Sequence, residues 1–254
     1  MKILRSCVIA FSMYSKIPVP QFDWKEEDMK YVFCFFPCIG AVIGLLISGW
    51  GWICRNFHIG SLAYVLMGTA IPILVTGGFH VDGYMDTMDA LHSYQDRERK
   101  LEILKDSHIG AFSVIMLLLY YLIYLAAFSE VIVGKDLAVV SLGFVLSRIM
   151  SGLGAVCLRP AKKDGLLRAF SKRAAQKNVA FVLFLEMLVC AAAMLLLSPA
   201  AGVAALIGSG GTFLFYRIRS YHEFGGVTGD TAGYFLLLCE AAIVIGAAIG
   251  SHLF

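Results

Sequence analysis

Residues 109–133 read IGAFSVIMLLLYYLIYLAAFSEVIV, twenty-five residues in which Glu130 is the only charge. A helix that crosses a bilayer needs about 20 predominantly apolar residues, and this run supplies them. Similar runs recur at 33–54, 61–78, 137–158, 179–197, 200–218 and 233–253. The second is short, and Pro72 with the Gly77-Gly78 pair is expected to kink or end it. Ser198-Pro199 makes a tight turn, so 179–197 and 200–218 read as a helical hairpin. Composition agrees: the 254 residues are 59% hydrophobic and 15% charged, whereas a soluble chain is about a quarter charged. The expected fold is an all-α, polytopic integral membrane helix bundle of about seven transmembrane helices. It forms a single domain over 1–254, with an amphipathic anchoring segment at 1–32.

Outward from these runs, charge sets the topology. Eighteen of the 21 Lys and Arg precede the first run, occupy the connections 79–108 and 159–178, or lie just before the last run. Arg55 and Lys135 alone fall on the other side. By the positive-inside rule the N-terminus and the long connections face the cytoplasm. A formal charge of +3 gives no reason to expect nucleic acid. The seven cysteines contain no CxxC pair and lie mostly in apolar runs, where Cys is a small hydrophobe. Gly40, Gly44, Gly49, Gly208, Gly210 and Gly211 are expected to let helices approach closely.

The longest polar connection opens Gly77-Gly78-Phe79-His80-Val81-Asp82-Gly83-Tyr84-Met85-Asp86-Thr87-Met88-Asp89-Ala90. On a helix, Asp82, Asp86 and Asp89 fall within roughly 60° of arc. Like charges so placed repel, and a divalent cation relieves that. Mg²⁺ is typically held by one or two carboxylates plus substrate phosphates, so the stripe is a candidate metal site; the alternative is a solvated acidic loop balanced by nearby Arg and Lys. Lys105, Asp106 and Ser107 stand at the mouth of the next span. They read either as a phosphate site with that helix's N-terminal amides or as a helix cap. Arg148 and Glu240 are ionisable groups at lipid depth, functional candidates by default, whereas Glu186 reads as structural. Gly225-Gly226-Val227-Thr228-Gly229-Asp230 offers close backbone approach, with Asp230 a further acid on the same face.

These stretches together resemble the cobalamin synthase family, the adenosylcobinamide-GDP ribazoletransferases. The resemblance rests on Gly77 to Asp89, on Phe11 with Ile17-Pro18-Val19-Pro20, and on Asp96-Arg97 with Ile103 to Gly110. It rests also on Gly226 to Asp230, with Arg159 and Asp164-Gly165 in support. Ala90 departs from the family's usual Gly without removing an acid. The resemblance implies a Mg²⁺-dependent enzyme of the inner (cytoplasmic) membrane. It would join adenosylcobinamide-GDP to α-ribazole or α-ribazole 5′-phosphate, release GMP and yield adenosylcobalamin or its 5′-phosphate. In that reaction Asp82, Asp86 and Asp89 are expected to hold Mg²⁺, and His80 to take the hydroxyl proton with an Asp of the stripe as rival. Lys105, Arg148 and Arg159 are expected to bind phosphates. A CDP-alcohol phosphotransferase is disfavoured because no Ala-Arg follows Asp82-Gly83. A prenyltransferase remains an alternative. A cation transporter would place its acids near the midplane rather than in a terminal connection.

Overall fold

The computed structural model describes residues 2–161 and 174–253. Among these, ten α-helices and one 3₁₀ turn follow one another without a β-sheet. They are α1 (Lys2–Tyr14), the turn Glu26–Met29, α2 (Val32–Asn56), α3 (Ser61–Thr76), α4 (Phe79–His92) and α5 (Arg97–Ile103), then α6 (Ala111–Ser129), α7 (Lys135–Cys157), α8 (Gln176–Leu197), α9 (Pro199–Phe224) and α10 (Gly229–Leu253). Six are long and apolar enough to cross a membrane, and α3 with α4 makes a seventh crossing if that bent pair is counted as one. Asp164-Gly165 and the basic residues between 162 and 173 lie outside the described residues.

The second expected run ends where its Gly pair predicted. Pro72 lies inside α3 and the helix continues through it to Thr76. The break comes at Gly77 and Gly78, whose φ values of +66° and +80° are left-handed and free of strain only for Gly. Across this pair the chain bends by 94°. The 16 residues of α3 extend about 24 Å, less than the ~30 Å hydrocarbon core. With that bend, α4 turns away from α3 and lies across the end of the bundle. The hairpin of α8 and α9 forms as expected, but α9 runs six residues beyond 218 to Phe224.

α7 and α10 occupy the centre, and Leu118, Leu122, Val189, Leu196 and Ile207 face outward from the helices around them. In lipid the apolar surface is already solvated, so helices associate through close packing of small residues. A Cβ at Gly40 or Gly44 would run into the main-chain carbonyls of Phe144 and Ser141, which joins α2 to α7. Gly208 and Gly246 likewise bring α9 and α10 together against the backbones of Ala242 and Ala204. Gly49, Gly210 and Gly211 meet nothing within 4 Å of a Cβ, so the expectation of close packing fails there.

The basic connections gather at one end. Lys16 N–H donates to Val75 O at 2.8 Å, and Ala175 N–H to Lys30 O at 3.2 Å. Arg159 reaches the carbonyl of Gly225. The His252–Glu130 contact at 3.0 Å lies at the opposite end.

Candidate active site

α4 presents two unlike faces. His80, Gly83, Tyr84, Thr87 and Met88 are buried, whereas Asp82 is exposed and Asp86 and Asp89 are half-buried. At 3.6 residues per turn the three acids lie about 180–240° round the helix from His80. The structure therefore keeps the carboxylate stripe together but sets His80 on the opposite, bundle-facing side. There its ring is flanked by Phe36 at 5.7 Å and Tyr14 at 6.4 Å between centroids.

Gly83 brings the second candidate stretch to the first. A Cβ on Gly83 would lie 2.9 Å from Asp230 O, and one on Gly233 would lie 2.9 Å from His80 O. α4 and the start of α10 thus cross backbone to backbone, which sets the Asp230 main chain against Gly83, the neighbour of Asp82. Thr228 caps α10 reciprocally with Thr231. Thr228 N–H donates to Thr231 Oγ1 at 2.8 Å, and Thr231 N–H donates to Thr228 Oγ1 at 3.1 Å. Its hydroxyl also donates to Asp230 Oδ2 at 3.3 Å. Thr228 therefore orders the turn rather than standing ready for a phosphate.

Asp89 is separated from the other two acids by what it binds. Its carboxylate accepts Gly110 N–H at 2.7 Å and Ser113 N–H at 2.8 Å, so it caps α6. The cap expected of Asp106 or Ser107 is supplied instead by a residue on another helix. The same amides are thereby withdrawn from the expected phosphate site. Lys105, Asp106 and Ser107 are exposed in the connection. Asp106 accepts the His108 amide and ring N–H at 3.0 and 2.6 Å, which holds its carboxyl below the usual range. Arg159 stacks over Tyr221 at 5.2 Å and donates through Nε and Nη2 to Gly225 O at 3.1 and 2.9 Å. It braces the turn before α10.

The two charges at lipid depth meet. Arg148 Nη1 lies 2.7 Å from Glu240 Oε1, with Phe144 O and Ser147 Oγ as further acceptors at 2.9 and 3.2 Å. Such pairing is what makes a charge tolerable in lipid. The pair borders a cavity of about 30 Å³, room for a water molecule. Four buried polar atoms along its walls lack a hydrogen-bond partner: Thr69 Oγ1, His80 Nε2, Tyr124 OH and Arg148 Nε.

Among the described residues no three His, Cys, Asp or Glu side chains form a group that would enclose a metal ion. Asp82 and Asp86, one turn apart on α4, are hard oxygen donors. They fit a cation that keeps water and takes its remaining ligands from a phosphate-bearing substrate.

A family profile described as cobalamin-5-phosphate synthase matches residues 6–248. The chain belongs to that family. It is 43% identical over 98% of its length to the adenosylcobinamide-GDP ribazoletransferase of Lachnoclostridium phytofermentans, covering 94% of that protein. The enzyme of the same name from Clostridium perfringens strain SM101 is 33% identical, over 94% of this chain and 96% of the relative. That from Listeria monocytogenes is 31% identical, over 91% and 92%. No solved structure matches.

In this cobalamin-5-phosphate synthase family member, sequence reasoning missed Thr69 and Tyr124. Each is a polar residue inside an apolar run, and that was the available signal. It missed also the pairing of Lys100 with Glu223 at 2.5 Å, which ties α5 to the end of α9. Lys100 is 9% exposed, yet its sequence neighbours are charged and give no sign of burial.

Proposed function

We propose that the chain is an adenosylcobinamide-GDP ribazoletransferase of the inner membrane, dependent on Mg²⁺, with its site on the cytoplasmic face and its N-terminus on the same side. A ribose hydroxyl of α-ribazole, or of its 5′-phosphate, attacks the pyrophosphate phosphorus nearer the cobinamide. The new O–P bond forms as the bond to GMP breaks, giving adenosylcobalamin or its 5′-phosphate. The observation that carries this reading, beside family membership, is the backbone contact of Gly83 with Asp230. It sets the main chain of Asp230 against the helix that carries Asp82 and Asp86.

Asp82 and Asp86, with Asp230 on the helix that crosses theirs, hold Mg²⁺, which when bound neutralises charge on the phosphate oxygens. Catalysis of such transfers is mainly positioning and charge stabilisation, so the chain's part is to fix where the carboxylates stand. His80 accepts the hydroxyl proton from the bundle side of α4; its buried Nε2 lacks a partner. A carboxylate of the stripe is the rival acceptor, and the separation of the two faces makes them distinguishable. Arg159 orders the turn that presents Asp230, and Lys105, Asp106 and Ser107 meet substrate only at the exposed rim. Arg148 and Glu240 lock α7 to α10 beneath the site.

Purified protein in liposomes, given adenosylcobinamide-GDP and α-ribazole, is expected to release GMP only with Mg²⁺ present. Absence of GMP release at saturating Mg²⁺ and both substrates overturns the assignment. Turnover in EDTA equal to that with Mg²⁺ overturns the metal. Cysteine labelling in oriented vesicles places the face: a Cys at position 105 reactive only from outside rejects the cytoplasmic site.

A further inference from the structure

We infer that the aromatic cavity on the His80 side of α4 seats the flat heteroaromatic base of the ribazole substrate; this rests on the transferase reading above. The cavity holds about 280 Å³ and is walled by Tyr14, Trp24, Phe33, Phe36, Phe79 and His80. The rings stand close to one another. Tyr14 lies 4.5 Å from Phe36 and 6.1 Å from Phe79, and Phe79 lies 5.5 Å from His80, between centroids. Most of the remaining lining is small, Ser151, Ala155, Gly229, Ala232 and Gly233, with Met13 and Leu236 completing it. Flat walls of this kind favour a ring that stacks or meets their edges.

The volume and the lining select among the parts of the two substrates. A corrin macrocycle is too large for the space. Guanine carries donors and acceptors on most of its edge, and leaving those unpaired in an apolar site is costly; the side chains of the wall offer polar atoms only at Ser151, Tyr14, His80 and the Trp24 indole N–H. A benzimidazole-type base is flat, largely apolar and asks for little hydrogen bonding. Position agrees with composition. The cavity reaches Gly229, the neighbour of Asp230 in the chain, so a base seated there has its sugar at the crossing of α4 with α10. His80 then belongs to the ribazole side and the carboxylates to the pyrophosphate side.

The test has two parts. In a Trp50→Phe/Trp52→Phe background, Trp24 is the single indole and forms part of the wall. Adding α-ribazole alone to the protein in nanodiscs is expected to change its fluorescence saturably, and GMP alone is not. A response to GMP but not to α-ribazole, or quenching of Trp24 by brominated lipid that α-ribazole does not relieve, overturns the inference. Steady-state kinetics of Ala155→Phe, which fills the cavity, and of Phe36→Leu, which removes one ring, are then compared with wild type. Both are expected to raise KM for α-ribazole by about tenfold or more, the scale of a lost stacking contact. KM for adenosylcobinamide-GDP is expected to stay near wild type. If folded Phe36→Leu protein keeps the wild-type KM for α-ribazole, or loses affinity for the corrinoid instead, the cavity is not the base site. Wild-type GMP release separates the two claims: its failure rejects the transferase reading, whereas normal release with an unmoved KM rejects the cavity alone.

Discussion

The starts of α6 and α10 lie at the same end of the bundle and both meet α4, yet they are closed in different ways. α6 borrows its cap, with Gly110 and Ser113 amides held by Asp89 from another helix. α10 caps itself through Thr228 and Thr231 and is anchored in its middle by Glu240 on Arg148. A helix held at its tip has that tip committed to structure, whereas one held further along can present its tip to a substrate. The three acids of α4, alike in sequence, are divided by this difference. Asp89 fastens α6, whereas Asp82 and Asp86 lie on the stretch of α4 that the start of α10 crosses at Gly83.

The mid-helix anchor should show the largest effect. Glu240→Leu leaves a buried guanidinium without its carboxylate, and breaking such a pair costs about 3–5 kcal/mol. Arg148→Leu/Glu240→Leu is expected to regain most of that loss, as measured by unfolding in SDS-mixed micelles. A double variant no more stable than the single would mean the anchor lies elsewhere.

Next come the two acids assigned to the metal. Asp82→Asn and Asp86→Asn are expected to remain folded and to lose about 100-fold in turnover, the size of effect found when one strong electrostatic contact to a transition state is removed. The Mg²⁺ concentration for half-maximal GMP release should rise in both. His80→Gln is expected to lower single-turnover rate without moving that Mg²⁺ requirement, and a shift equal to that of Asp86→Asn would merge the two faces of α4 into one site.

Asp89→Ala should behave otherwise. Loss of a charged cap costs about 1–2 kcal/mol, so thermal stability falls while turnover per folded molecule and the Mg²⁺ requirement stay close to wild type. A raised Mg²⁺ requirement in Asp89→Asn would return Asp89 to the metal and undo the comparison. The smallest effect is expected at the rim. Asp106→Asn removes an exposed acid whose partner is His108, and exposed pairs contribute at most about 1 kcal/mol; turnover and melting temperature should barely move.

The apolar runs were legible because the bilayer imposes a length that few other structures need, and the acid stripe because helical spacing is local. The capping of α6 by Asp89 was not, since it joins residues more than twenty positions apart through the placement of α4. Arg148 and Glu240 each stood out as charges at lipid depth, but nothing local to either names the other across 92 positions. Of the residues expected to kink or end the second run, α3 runs through Pro72. The Gly77-Gly78 pair ends it as expected, and what the sequence did not show is the size of the bend there, 94°.

Those glycines act as the pivot of a lever. Asp86 lies eight residues past Gly78, so about 12 Å of α4 separates them, and a swing of about 10° at the pivot carries its carboxylate through about 2 Å. Metal ligation tolerates errors of only about 0.2 Å. The bearing must therefore be stiff, and Lys16 braces it at two points. Lys16 packs its stem against the Gly77 backbone where a Cβ would otherwise sit, and its main-chain N–H bonds Val75 O just before the bend. The amphipathic segment that opens the chain, far from any acid in sequence, thus sets the aim of the arm that carries them.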